Sequence, residues 1–232
     1  MRLHRFFVEG SLSKEGHASF DKELYNQLHN VFRLQKGDGV VLCDGKKNEA
    51  SATIELLSKN EIKFKIEKIE KNLVEPKRNV ILYCALLKRE NFELIVQKAT
   101  EIGVSCIVPL ITKRTVKTSF RKERIEKIIK EAAEQSGRGI IPEIKSPLTF
   151  TGAIKEAKEN SGNFFFDTSG EALKKVFGDK DKIGIWIGPE GGWDDMEIML
   201  AKENKFDIIS LGALTLRAET AAIVASYLAI HL

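Results

Sequence analysis

The segment VILYCALLKRENFELIVQKATEIGVSCIVPLI, residues 80–111, decides the fold class of this 232-residue chain. It opens with an unbroken apolar run over residues 80–87, as expected of a strand buried on both faces. From Asn91 to Ile102 the apolar residues recur at helical spacing, and Gly103 is well placed to end that helix. Residues 106–111 form a second apolar strand. A strand, a helix and a strand in this order predict a parallel sheet.

The remaining sequence predicts two domains. After residue 111 the alternation continues, with helices predicted over 121–137, 194–204 and 218–231 and strands over 163–166, 183–187 and 208–211. Before residue 72, short alternating segments over 40–43, 52–57 and 62–69 predict a small β-rich domain, with one helix over 21–31. A polar stretch containing Pro76 separates the two patterns. We therefore predict domains at 1–72 and 73–232, the second being α/β.

Composition narrows the class of protein. Hydrophobic residues make up 43% and charged residues 30%, which suits a globular protein. No apolar run reaches the roughly 20 residues that cross a bilayer, and the N-terminus does not resemble a secretory signal, so a cytoplasmic protein is expected. We expect Cys43, Cys84 and Cys106 to be reduced, buried thiols. No histidine lies at metal-ligand spacing, so no metal is expected.

Basic residues are concentrated in the middle of the chain. Between residues 113 and 130, eight lysines and arginines face only two glutamates. Such a cluster suits a nucleic-acid phosphate backbone, although a solvated helix face has the same composition.

Three segments are candidates for function. In IGPEGGW, residues 187–193, three glycines and a proline leave main-chain groups open to a flat ligand, or form a plain tight turn. In SLGALTLRAETA, residues 210–221, Arg217 precedes a helix, where a cation is disfavoured. Glu219 there has an ordinary explanation as a helix-start residue. In EAAEQSGR, residues 131–138, Gln135 and Arg138 could face RNA, or Arg138 could form a surface pair with Glu134. Dinucleotide-binding, P-loop and nucleophile-elbow motifs are absent from the sequence.

These motifs resemble one family, the small-subunit ribosomal RNA uridine N3-methyltransferases called RsmE, of the SPOUT superfamily. The resemblance covers essentially the whole chain and rests on four separated motifs and on N-terminal residues: VQKATEIGVSCIVP (96–109), EAAEQSGR (131–138), IGPEGGW (187–193), LGALTLRAETA (211–221), Arg2, Arg5 and VFRL (31–34). It implies an N-terminal PUA-like β-barrel that binds RNA, a C-terminal domain tied in a trefoil knot, and a homodimer with the active site near the subunit interface.

The resemblance also implies roles for individual residues. S-adenosylmethionine would be held by Gly188, Pro189, Glu190, Gly191, Leu211, Gly212 and Leu216, with residues 167–170 as another wall. The catalytic residues implied are Arg138, Arg217 and Glu219. The RNA contacts implied are Arg5, Arg33, Arg114, Lys117, Arg121 and Gln135. The chain departs from the family at Ala213 and Leu214, where many members have Pro-Arg, and at Trp193, where many have a smaller or different apolar residue.

The reaction that the resemblance implies is methyl transfer to N3 of a uridine in the decoding region of 16S ribosomal RNA, free or within the small ribosomal subunit. N3 of neutral uracil carries a proton, so an arginine that stabilises the developing anion, Arg138 or Arg217, and Glu219 as a base are expected. The base must leave its stack to expose N3. Two alternatives stay open: a SPOUT methyltransferase acting on transfer RNA, and a non-catalytic RNA-binding assembly factor of the ribosome.

Overall fold

The chain folds into two compact units. The computed structural model describes residues 3–116, 120–172 and 177–232. The first unit comprises Met1–Glu75 and Ala133–Ile141, and the second comprises Pro76–Ala132 and Pro142–Leu232. The boundary predicted after residue 72 lies close to the observed one, but residues 133–141, predicted for the second domain, belong to the first unit. There Ala133 packs against Phe7 and Cys43, which no local sequence pattern encodes.

The first unit is built on a five-stranded sheet. The strand order is β1-β3-β4-β5-β2, and every neighbouring pair is antiparallel except β1 and β3. The strands are β1 (Arg5–Phe7), β2 (His17–Ser19), β3 (Gly39–Cys43), β4 (Asn48–Leu57) and β5 (Ile62–Lys71). The predicted helix is present as α1 (Lys22–Asn26), capped by Asp21, and continues as one π-helical turn over Gln27–Val31. The strands β1 and β2 were not predicted, because three residues are too few for a visible alternation.

The second unit confirms the predicted parallel sheet. Its seven strands run in the order β12-β10-β11-β6-β7-β8, with β9 also beside β7, and all described pairs are parallel. The strands are β6 (Asn79–Ala85), β7 (Cys106–Ile111), β8 (Glu143–Ile144), β9 (Leu148–Thr149), β10 (Gly162–Ala172), β11 (Lys182–Ile187) and β12 (Asp207–Ser210). The helices are α2 (Arg89–Ile102), α3 (Lys122–Ser136), α4 (Phe150–Ala157), α5 (Asp195–Glu203) and α6 (Ala218–His231). The sequence had not predicted β8, β9 or α4.

Each face of this sheet carries its own core layer. Leu82 and Cys84 of β6 point to the layer formed with α2 and α6, while Tyr83 points to the layer formed with α4 and α5. On that second side the rings of Tyr83 and Trp186 stack with centroids 4.1 Å apart. This alternation follows from the period of two in a strand. The three cysteines are free and buried, as predicted.

The sheet order decides where a site can form. In a parallel sheet the carboxyl ends of all strands lie at one edge, and ligands bind in the crevice outside that edge. The strands β12, β10, β11 and β6 are neighbours. The carboxyl-terminal parts of these four strands are therefore brought together, although they come from distant parts of the sequence.

Candidate functional site

A cleft of about 830 Å³ lies at the carboxyl ends of these four strands. The loops after β6, β11 and β12 and residues 166–168 within β10 supply most of its wall, and the segment after β7 adds Arg114 and Val116. The lining includes all seven residues predicted to hold a cofactor: Gly188, Pro189, Glu190, Gly191, Leu211, Gly212 and Leu216. It also includes Asp167 and Thr168 of the predicted extra wall, but not Ser169 or Gly170.

The glycine-rich loop after β11 rests on Trp193. A Cβ added at Gly188 would stand 3.0 Å from the Trp193 indole. The buried indole Nε1 donates a 3.0 Å hydrogen bond to the carbonyl oxygen of Phe166, in the middle of strand β10. Gly192 adopts φ +71° and donates its main-chain N–H to the carbonyl of Pro189 at 2.9 Å, which closes the turn. The tryptophan that departs from the family pattern is thus the support of the loop.

The loop after β12 forms another wall of the cleft, in addition to the glycine-rich loop. Gly212 has φ +136°, a conformation that residues with a Cβ rarely adopt. The Ser210 hydroxyl accepts from the Gly212 N–H at 3.3 Å and donates to its carbonyl at 3.0 Å. Leu214 and Leu216 follow as exposed side chains. The loop therefore presents main-chain groups and apolar side chains to the cleft.

Two of the three predicted catalytic residues line this cleft. Arg217 is exposed at the N-cap position of α6 and makes no capping hydrogen bond with its side chain. Glu219 lies in the first turn of α6. Its Oε2 atom is buried and has no hydrogen-bond partner among the described residues. A buried carboxylate oxygen left unbonded is costly, so this atom is suited to accept a hydrogen bond from a ligand.

Arg138 has a different environment. It belongs to the first unit, where its side chain is 6% exposed and pairs with Glu75 at 2.9 Å. Glu75 also accepts from the main-chain N–H groups of Gly139 and Ile140. Glu134 is buried too, and accepts from the Phe7 N–H, so neither side chain lies at the surface, where the sequence had placed their pairing. A role of Arg138 at the uridine stays a prediction and would require its guanidinium to leave this ion pair.

The predicted RNA-binding residues are divided between the two units. Arg33, Arg121 and Gln135 are exposed, and Lys117 lies outside the described residues. Arg5 pairs with Glu49, so a phosphate would compete with that carboxylate. Arg114 donates to the carbonyl of Gly191 at 2.9 Å at the rim of the cleft.

Some residues that line the cleft were not predicted as site residues. Lys88 and Asn91 line it from the loop after β6 and the first turn of α2. Their signal was their position directly after the first buried strand, which becomes central in the sheet. Across residues 3–116, 120–172 and 177–232, no group of three or more metal-ligating side chains is found. None of the helices in those ranges has the length and apolar character needed to cross a bilayer.

Comparison with known proteins places this chain among RNA-modifying enzymes. The model of a family described as "RNA methyltransferase domain" matches residues 74–230. A second model, "RNA methyltransferase PUA domain", matches residues 21–67.

Individual relatives agree. The ribosomal RNA small subunit methyltransferase E 2 of Borreliella burgdorferi is 36% identical, over 88% of this chain and 86% of the relative. A solved structure described as a methyltransferase of Legionella pneumophila with the bound cofactor SAM has a TM-score of 0.91 and 30% identity, covering 99% of this chain and 97% of the other. A ribosomal RNA small subunit methyltransferase E of Neisseria gonorrhoeae bound to S-adenosyl methionine has a TM-score of 0.89 and 27% identity, covering 97% and 95%. This chain belongs to the ribosomal RNA small subunit methyltransferase E family.

Proposed function

We propose that this protein transfers a methyl group from S-adenosylmethionine to N3 of a uridine in 16S ribosomal RNA. The observation that carries the proposal is the cleft at the strand ends, which gathers the glycine-rich loop, the loop after β12 and the start of α6. A concave cleft at the strand ends, with main-chain groups in its wall, is the kind of site in which a small cofactor binds.

The residues of the cleft fit S-adenosylmethionine. Gly191 and Gly212 have no Cβ, and one added at either would meet no atom closer than 3.7 Å. Their main chain is therefore open to close approach by an adenosine. The unpartnered Oε2 of Glu219 offers an acceptor in an otherwise main-chain wall. Two relatives of high structural similarity were solved with this cofactor, which supports the assignment.

Bound S-adenosylmethionine supplies an electrophilic methyl group. Arg217, exposed at the cleft with no capping bond to give up, is placed to stabilise negative charge on uracil as the N3 proton leaves. Glu219 is the proposed base that receives that proton. Arg138, the third predicted catalytic residue, would act on the same charge only after release from Glu75.

Several further properties belong to the proposal. RNA would be held by Arg5, Arg33, Arg114, Lys117, Arg121 and Gln135 and by the PUA-like first unit, giving salt-dependent binding. We propose a SPOUT-type trefoil knot in the second unit. Its support is that α6 leaves the edge strand β12 and returns to pack on β6, β11 and α2. We also propose a homodimer, supported by exposed apolar side chains such as Leu214 at the cleft and Tyr227 on α6. A ribosomal substrate implies a cytoplasmic location.

The decisive experiment is methyl incorporation from labelled S-adenosylmethionine into small ribosomal subunits that lack the modification, with the product nucleoside identified. N3-methyluridine is the expected product. Label found only in transfer RNA would show that transfer RNA, and not 16S ribosomal RNA, is the substrate. Binding of RNA without incorporation of label would favour a non-catalytic assembly factor of the ribosome. The variants Arg217→Ala and Glu219→Gln should lower kcat, with Lys155→Ala as a control that removes an exposed cation of α4 outside the cleft lining. Full turnover by both variants would overturn the two catalytic assignments.

A further inference from the structure

A buried carboxylate beside the cleft has no part in the chemistry proposed above. Glu197 lies in the first turn of α5 and is 6% exposed. Its Oε2 accepts from the main-chain N–H of Asp194 at 3.0 Å, which completes a capping box at the helix start. Its Oε1 accepts from the main-chain N–H of Lys113, also at 3.0 Å. One carboxylate therefore joins two segments that are 84 positions apart in sequence.

The segment held by Oε1 is a tight turn directly after β7. The Thr112 N–H donates to the Thr115 hydroxyl oxygen at 3.0 Å, and the Thr115 N–H donates back to the Thr112 carbonyl at 3.2 Å. Between these threonines the turn carries Lys113 and Arg114. The direction in which Arg114 extends is thus set by a turn that is anchored through its neighbour.

Arg114 reaches from this turn to the glycine-rich loop. Its Nη1 donates to the Gly191 carbonyl at 2.9 Å, and its Cβ and Cδ lie 3.7 Å from where a Gly191 Cβ would stand. Glu197 therefore holds one end of the turn, and Arg114 joins the turn to the loop. The loop itself continues through Trp193 into Asp194, which Glu197 also binds. Hydrogen bonds and main chain thus form a closed ring, and the glycine-rich loop is one part of that ring.

We propose that Glu197 is a positioning residue for the cofactor site, acting through the turn that carries Arg114. This inference rests on the proposed function and goes beyond it, since Glu197 is not among the residues that line the cleft. Glycines lose the most conformational freedom on ordering. A loop with three of them binds more tightly when its bound conformation is already held, because less ordering then opposes binding.

The test compares Glu197→Gln with a matched loss of a helix cap elsewhere. The glutamine amide keeps one acceptor oxygen, and its NH₂ group cannot accept the other N–H. The control is Thr149→Ala, which removes the cap bond from the Gly152 N–H at the start of α4. Thr149 does not line the cleft. Both variants lose one side-chain hydrogen bond at a helix start, and only in Glu197→Gln does the weakened side chain also hold the turn.

The dissociation constant of S-adenosylmethionine is measured by calorimetry, together with KM and kcat. Loss of one net hydrogen bond corresponds to about a three- to tenfold change in an equilibrium constant. We expect Glu197→Gln to raise Kd and KM for the cofactor by about that factor, with kcat kept at saturation, and Thr149→Ala to change neither. In an Arg114→Ala background the effect of Glu197→Gln should shrink, because the two residues act through one turn.

Equal weakening by Glu197→Gln and Thr149→Ala would mean general loosening and would overturn the inference. Strict additivity with Arg114→Ala, or unchanged cofactor affinity in Glu197→Gln, would overturn it as well. Failure of the cofactor assignment gives a different result, because the wild-type protein itself would then bind no S-adenosylmethionine, and a different RNA substrate would leave the cofactor affinities of these variants unchanged.

Discussion

Replacing Gly188 by alanine tests whether Trp193 supports the glycine-rich loop. The added Cβ would stand 3.0 Å from both Cε2 and Nε1 of the indole, and 3.1 Å from Cδ2. Real Cβ atoms seldom come so close, so the ring or the loop must move. The ring cannot move freely, because its Nε1 is hydrogen-bonded to Phe166 and its face stacks on Phe165 with centroids 4.3 Å apart.

The expected loss of stability in Gly188→Ala is the cost of overpacking. An extra methyl group in a tightly packed interior costs about 1–3 kcal/mol. Each 1 kcal/mol lowers Tm by about 2–4 °C in a domain of 150–250 residues, so Gly188→Ala should melt about 2–12 °C below the wild-type protein. A displaced indole also carries the loop with it, so we expect weaker binding of S-adenosylmethionine.

The assay uses tryptophan fluorescence during thermal unfolding. The chain has two tryptophans, both buried in the second unit, so the signal reports on this fold. The matched control is Gly191→Ala in the same loop, whose Cβ would meet only the Arg114 side chain at 3.7 Å. It should leave Tm unchanged. If Gly188→Ala melts like the wild-type protein, or if Gly191→Ala is equally destabilised, Trp193 does not support the loop as argued.

Three further predictions concern stability and reactivity. Hydrogen bonding to Arg124, and then to Arg89, lowers the pKa of Glu93 from 4.5 to about 2. The folded state therefore stabilises the charged form of Glu93. The difference in unfolding free energy between the wild-type protein and Glu93→Gln should have its largest value above pH 4.5 and vanish toward pH 2. A difference that does not depend on pH would contradict this. Burial raises the pKa of the Cys43 thiol to about 11, so it should resist a thiol reagent at pH 8 until urea unfolds the chain, and rapid labelling of the native protein would refute that. Glu75→Gln removes the negative charge from a buried ion pair with Arg138, and should lower the unfolding free energy of the first unit by about 3–5 kcal/mol in urea titrations; a loss below about 1 kcal/mol would show that the pair is dispensable.

Periodicity and motif composition were sufficient for the main elements of the second unit. The buried strand over 80–87 and the amphipathic helix after it predicted β6 and α2, and the strand predicted over 106–111 coincides with β7. These predictions succeed because burial on both faces removes polar residues from a strand, while burial on one face gives a helix its period. Motif composition likewise selected residues 187–193 and 210–221, most of which line the cleft, while a functional role of residues 131–138 stays a prediction.

The same local signals failed where an element is short or its partner is distant. The two-residue strands β8 and β9 are too short to show a period. Strand β10 continues to Ala172, whereas the sequence predicted that it ends at residue 166. A register shift between Phe166 and Glu171 allows β10 to resume pairing with β12, and this depends on the neighbouring strand rather than on β10 itself.

The sequence by itself determined that a parallel α/β unit follows a β-rich one, and which loops have the composition of a ligand site. Only the tertiary structure decided which side chains act together. It brought four strand ends around one cleft, left an oxygen of Glu219 buried without a described partner, and buried Arg138 against Glu75. It also gave the capping residue Glu197 a second bond, to Lys113. Hydrogen-bond partners far apart in the chain are set by the order of strands in the sheet, and the period of a single strand or helix carries no information about that order.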